Sequence, residues 1–138
     1  MSRILLDTNV LSELVRPRPE PRVCKFVAAQ ADPLISALTI HELSFGAERA
    51  PDPAKRSKLI AWLAGMRTQF AASTIAVDAD IAEHAGRLRA AAEAQGFVVK
   101  PIDALIAASA AARGATIATR NIRDFAPLGV PTVDPWAA

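Results

Sequence analysis

Apolar positions along this chain switch repeatedly between two spacings. Ile4-Leu5-Leu6 is a short unbroken run that ends on Asp7, after which Val10, Leu11, Leu14 and Val15 recur at helical spacing up to Pro17. A brief apolar run followed by a stripe of this kind predicts a buried strand feeding a helix. In Pro17-Arg18-Pro19-Glu20-Pro21 every proline lacks a donor and restricts the residue before it, so the segment predicts a rigid connector. A helix over 22–30 follows, burying Val23, Phe26 and Val27, and Pro33 to Ser36 reads as a second strand. Thr39-Ile40-His41-Glu42 then opens a helix that runs to about Arg49.

Beyond the Pro51/Pro53 break, Leu59, Leu63, Met66 and Phe70 predict a long amphipathic helix over 54–71. Residues 73–77 read as a third strand, and Asp78 or Asp80 caps a helix on Ile81, Ala85, Leu88 and Ala92 that stops at Gly96. A further helix begins at Pro101 and ends near Arg113-Gly114. Residues 115–119 form a fourth strand, Asn121 to Phe125 a helical turn, and 131–133 a fifth, edge strand where Pro131 is tolerated. Strands alternating with helices predict an α/β protein, a three-layer α/β/α fold with a central parallel sheet of about five strands. Residues 1–138 are expected to form a single domain, since that length can bury about two-thirds of its unfolded surface.

Composition narrows the class. The chain is 51% hydrophobic and 22% charged, with the charges spread throughout, which argues against disorder. The first apolar run is too short for a signal-peptide core, and the apolar stretch 104–118 is interrupted by Arg113 and Gly114, so no membrane span is expected. The single cysteine, Cys24, permits no internal disulfide and suits a reducing compartment, so a cytoplasmic location is expected. A net charge of +2, with basic clusters around Arg16 to Lys25, Lys55 to Lys58 and Arg120 to Arg123, permits a polyanionic substrate without requiring one.

Several chemistries are absent. The six glycines form no phosphate loop, no G-x-S-x-G elbow occurs, and His41-Glu42 has no second histidine at i+4 for a zinc helix. What remains is a set of acids: Asp7 after strand one, Glu42 in the first turn of the helix after strand two, Asp103 in the first turn of the helix feeding strand four, and Asp124 just after strand four. Each has a plain structural reading. Asp7 is placed to cap a helix, Thr39-x-x-Glu42 fits a capping box, Asp103 suits a helix dipole, and Asn121-x-x-Asp124 is a looser capping pair. If strands one and four are neighbours where the strand order reverses, however, all four acids converge in one crevice. Converging carboxylates repel by about 1 kcal/mol per pair at 4 Å in water and about 4 at an effective dielectric of 20. A cation would offset that repulsion, and an all-oxygen donor set favours Mg²⁺ or Mn²⁺ over zinc. Such an ion can activate water against a phosphodiester.

At these residues the chain resembles the PIN-domain ribonucleases, and among them the VapC-type toxins of bacterial toxin–antitoxin pairs. The matching pieces are Leu5-Leu6-Asp7-Thr8-Asn9-Val10-Leu11-Ser12, Ser36-x-x-Thr39-x-x-Glu42-Leu43-x-x-Gly46, Asp103-Ala104-Leu105-Ile106-Ala107-x-x-Ala110 and Ala118-Thr119-Arg120-Asn121-x-x-Asp124-Phe125, in family order. The resemblance implies a Mg²⁺- or Mn²⁺-dependent endoribonuclease, inhibited by a small antitoxin that inserts a basic residue into the acidic crevice. It puts metal-ligand and catalytic roles on Asp7, Glu42, Asp103 and Asp124. Asn9 and Thr119 fall where supporting polar groups stand, although local turn hydrogen bonding accounts for them equally. For Asn121, capping the last turn ranks ahead of contact with metal-bound water. Arg16, Arg120 and Arg123 are expected to hold RNA phosphates. The family tends to dimerise, and the Leu59–Phe70 stripe serves that role or core packing equally well. The rival readings are a haloacid-dehalogenase-like phosphatase with Asp7 as nucleophile, against which Asn9 stands where a second Asp is wanted, and a non-catalytic RNA- or protein-binding module.

Overall fold

The computed structural model describes residues 3–137; Met1, Ser2 and Ala138, the ends of the expected domain, lie outside the described residues. Five short strands carry the fold: β1 (Ile4–Leu6), β2 (Ile35–Ser36), β3 (Thr74–Ile75), β4 (Thr116–Ala118) and β5 (Thr132–Val133). Between them run α1 (Thr8–Leu14), α2 (Pro21–Ala28), α3 (Ala37–Glu48), α4 (Pro53–Gln69), α5 (Ala79–Ala94), α6 (Pro101–Ala112) and α7 (Ile122–Phe125). All strand pairings are parallel: β1 with β4, β4 with β5, and β2 with β3. The expected five-stranded sheet is therefore present in two pieces, β1-β4-β5 and β2-β3. A single bridge joins them, in which Leu6 N donates to Leu34 O and Leu34 N to Ile4 O, both at 2.8 Å. Counting that joint, the order is β3-β2-β1-β4-β5, and the connections reverse direction between β1 and β4. That pair is the switch point at whose carboxyl end open α/β sheets bind ligands.

Alternation along the strands sends neighbouring residues to opposite faces. Leu5, Leu34, Ile75 and Ile117 join one core with α5 and α6, while Leu6, Ile35 and Ala118 join another with α1 to α4. This gives the three layers. In α6 the buried face is mostly alanine, with Ala104, Ala107, Ala108 and Ala110 each at most 1% exposed, so the helix approaches the sheet closely. The Leu59–Phe70 stripe is core packing at its C-terminal half: Met66 and Phe70 are buried, and Leu63 packs beside them.

Two local expectations give way. The third helix starts at Ala37 rather than Thr39, because the Ser36 hydroxyl caps it by accepting from Leu38 N at 3.2 Å. The Thr39/Glu42 capping box therefore does not form, and Glu42 lies in the second turn. Asn121 precedes α7 but makes no side-chain capping bond. Elsewhere the stops fall as expected. Asp78, not Asp80, caps α5 by accepting from Ile81 N at 2.9 Å, and Gly96 beyond its end takes a φ of 93° that a side chain would resist.

Ser36→Ala should cost about 1 kcal/mol in urea unfolding, since it leaves the first turn of α3 without its acceptor. Ser109, whose hydroxyl lies 3.4 Å from that of Ser36, keeps its bond to Leu105 O and adds no further penalty. No loss would mean that α3 is capped at Thr39 after all.

Candidate active site

Asp7 leaves β1 at the switch point and is only 6% exposed. It caps α1 with Oδ1, which accepts from Thr8 N at 2.8 Å. Its other oxygen faces across to β4: Oδ2 accepts from the Thr119 hydroxyl at 2.8 Å and from Asn9 Nδ2 at 3.3 Å. Capping and cross-strand anchoring thus use different oxygens of one carboxylate. Thr119 also accepts from Asn121 N at 2.9 Å, so it makes both the local turn bond and the bond to Asp7. Asn9 Nδ2 lies 3.2 Å from Thr119 Oγ1, and Asn9 Oδ1 accepts from Arg120 N at 3.3 Å. The two supporting residues form a small lattice around Asp7.

Glu42 reaches this site from α3. The Thr8 hydroxyl donates to its Oε1 at 2.5 Å and lies 3.3 Å from the buried Thr39 hydroxyl. Thr8 is the residue the sequence reading missed: its amide holds Asp7 while its hydroxyl holds Glu42. The available signal was its place directly after Asp7 in Asp7-Thr8-Asn9, at the mouth of the strand. Asp103 stands in the first turn of α6, half-buried, and Asp124 is exposed in the first turn of α7.

The acids act on one another. The Asp7 carboxyl is raised above its ordinary value, first by burial; the bonds from Thr119 and Thr8 pull it back, and Glu42 and Asp124 push it further up. Asp103 is pushed up to about 6 by burial and then by Asp124 and Asp7, with Lys100 opposing and Glu42 adding. The four carboxylates therefore lie within range of one another's charge around the carboxyl end of β1.

Among the described residues, no three acidic, histidine or cysteine side chains are placed to hold an ion directly. The donor set is nonetheless wholly carboxylate and hydroxyl. That chemistry fits Mg²⁺ or Mn²⁺, which keep several waters and take one or two carboxylates directly. Arg16 and Arg120 line a common cleft that contains none of the four acids, while Arg120 and Arg123 line a second pocket with Asn121 and Asp124. An apolar groove of about 500 Å³ between α1, α3 and α4 also opens at Glu42 and runs to Trp62.

Residues 4–129 match the PIN domain. This chain belongs to the PIN-domain family. It is similar to the tRNA(fMet)-specific endonuclease VapC of Shigella flexneri, 31% identical over 137 residues that span 99% of this chain and 100% of the relative. Among solved structures, FitAcB from Neisseria gonorrhoeae superposes with a TM-score of 0.93 at 32% identity, covering 98% of this chain and 99% of that one. A toxin–antitoxin complex from Klebsiella pneumoniae superposes at 0.70 with 28% identity, covering 96% and 97%. Within the PIN family the likeness thus runs to the VapC type. No helix among the described residues is long and apolar enough to cross a membrane.

A raised pKa means the folded chain binds protons more tightly than the unfolded one. The stability linked to Asp103 is fully present below its unfolded value near 3.8 and is lost as pH rises through about 6. Metal-free Asp103→Asn should therefore melt level with or above the wild type at pH 7, and its advantage should shrink as pH falls toward 4. A large drop at pH 7 would instead make Asp103 chiefly a helix-dipole residue.

Proposed function

We infer that this chain is an endoribonuclease of the VapC type, hydrolysing RNA phosphodiesters with Mg²⁺ or Mn²⁺. The observation that carries the reading is the convergence of four carboxylates at the β1/β4 switch point, two of them raised by burial and by their neighbours. The endonuclease relative carries an RNA substrate in its name, which supports RNA as the substrate class.

In this reading Asp7 is the central metal ligand, fixed in orientation by Thr8, Asn9 and Thr119. Asp103 and Asp124 complete the site directly or through water. Glu42, oriented by the Thr8 hydroxyl, holds a second ion or accepts a hydrogen bond from the attacking water. A bound divalent ion would supply Lewis acidity and a lowered pKa for water. Asn121 is free of capping duty and is available to the water shell. Arg16, Arg120 and Arg123 draw the polyanionic substrate to a crevice whose own acids would otherwise repel it.

The phosphatase alternative is disfavoured by Asp7 itself: its two oxygens accept bonds from Thr8, Thr119 and Asn9, and it is nearly buried, a poor arrangement for an attacking nucleophile. A scaffold would gain nothing from mutually repelling acids. We also propose a small antitoxin as partner, supported by the toxin–antitoxin complex among the structural neighbours. A basic residue from such a partner, as the resemblance implies, would neutralise the acids. The groove from Glu42 to Trp62 suits an amphipathic segment lying beside them. A homodimer is proposed from the resemblance alone.

Wild-type protein with Mn²⁺ should cleave RNA, and Asp7→Asn should reduce cleavage to background while titration calorimetry shows weakened Mn²⁺ binding. Undiminished cleavage by Asp7→Asn, or cleavage that survives EDTA, would sink the metal mechanism. Trapping an aspartyl-phosphate at Asp7 would favour the phosphatase.

A further inference from the structure

Arg120 is where the acidic crevice opens sideways. It follows Thr119, which holds Asp7, and its own amide is tied to Asn9. On one side it lines the pocket containing Asp124. On the other it lines a cleft of about 500 Å³ with Arg16, Arg18 and Trp136. Its guanidinium lies over the Trp136 ring, 5.0 Å from the centroid.

The cleft is held in shape by bonds that no catalytic role requires. Glu13 is a carboxylate only 6% exposed, yet it lies on α1 far from the four acids in role. Its Oε2 accepts from Glu20 N at 2.9 Å and its Oε1 from Arg16 Nη1 at 3.1 Å. One side chain therefore fastens both ends of the Pro17-Arg18-Pro19 connector and sets Arg16. Opposite it, Arg22 Nη1 donates to Trp136 O at 3.1 Å, and Trp136 N donates to Asp134 Oδ1 at 2.9 Å. The segment after β5 is pinned so that the indole backs Arg120. Two carboxylates also line the cleft, but Glu13 is engaged as described, and Glu20 accepts from Arg22 N at 3.4 Å with Arg22 Nε 4.0 Å away. Arg16, Arg18 and Arg120 outnumber these two carboxylates in the lining.

We propose that this cleft is a nucleotide subsite flanking the scissile position, in which Arg120 takes the adjacent RNA phosphate and offers its face to an unstacked base. A guanidinium matches phosphate through a planar fork and stacks on bases through its face, and an indole behind it fixes that plane. Arg16 and Arg18 continue the phosphate track outward. Trp136 and Glu13 are positioning residues acting through Arg120 and Arg16. The proposal rests on the ribonuclease reading and gives the crevice a direction, with substrate leaving past β5.

The test pairs cleavage kinetics with fluorescence anisotropy of a short single-stranded RNA, the latter in the Asp7→Asn background so that the probe survives. Arg120→Ala should raise KM and Kd about tenfold, a typical loss for one stacked and paired nucleotide, with kcat changed far less. The slope of log binding constant against log salt should shrink by about 1. Arg120→Lys should restore the salt slope but not the affinity, because it keeps the charge and loses the plane. Trp136→Ala should follow Arg120→Ala, while Trp136→Phe should retain most binding; the phenylalanine variant carries the test if the alanine variant fails to fold. RNA affinity indifferent to Arg120 and Trp136 overturns the proposal, as does a loss confined to kcat. So does weakened antitoxin binding with RNA binding intact, which would make the cleft a protein contact. If the wild type cleaves no RNA, the ribonuclease reading fails and the subsite's place beside a scissile bond falls with it, whereas Arg120- and Trp136-dependent RNA binding would still uphold the cleft as a nucleotide-binding site.

Discussion

The bond from Thr119 to Asp7 Oδ2 ties together the two central strands at the point where acids from four elements meet. Its existence depends on the parallel pairing of β1 with β4, Leu6 opposite Ala118, which puts Asp7 and Thr119 side by side one residue beyond. The pairing has to overcome the repulsion it creates. A carboxylate pair at 4 Å costs about 1 to 4 kcal/mol depending on screening. Leu5, Leu6 and Ile117, all fully buried in these strands, each contribute about 1.5–3 kcal/mol by leaving water. Burial of these apolar side chains directly beneath the acids opposes the repulsion among them.

Much of this was readable from the residues. The apolar runs located every strand, the prolines and Gly96 located the breaks, and the acids were found because each follows a strand or opens a helix. The failures share one cause: they concern choices between neighbouring candidates that only cross-chain contacts decide. Ser36 and Thr39 are both good caps, and Ser36 prevails because Thr39 is buried against Thr8 and unavailable. Glu42 looked like a capping acid because its true partner, the Thr8 hydroxyl, lies 34 residues away. Asn121 looked like a cap, but its side chain makes no capping bond, and its backbone amide donates to the Thr119 hydroxyl. The sheet is thinner than expected for a different reason. Between its halves, among the described residues, a single bridge at Leu34 reaches β1, through bonds that the apolar pattern of either strand does not encode.

Glu13 and Trp136 carried no usable signal in the chain. A glutamate on an amphipathic helix is usually solvated, and a tryptophan near a C-terminus pairs with nothing nearby in sequence. Only the fold brings Glu13 to the Glu20 amide, whose bond holds its carboxyl below the usual carboxylate range, and Trp136 to Arg120. Residues that shape a surface by bonding to backbone leave a fainter trace than residues that do chemistry, since any side chain with an acceptor could serve.

The pairing of Asp7 with a residue 112 positions later has a consequence for how the molecule is made. A chain emerging from a ribosome presents its N-terminal strand early, with the single Leu34 bridge as its partner long before β4 exists. Neither the Thr119 anchor nor the Asp103 and Asp124 carboxylates exist until most of the polypeptide has been synthesised. An RNA-cutting fold organised this way stays inert throughout its own translation, beside the very class of molecule it attacks, and becomes hazardous only once its fourth strand is free to dock.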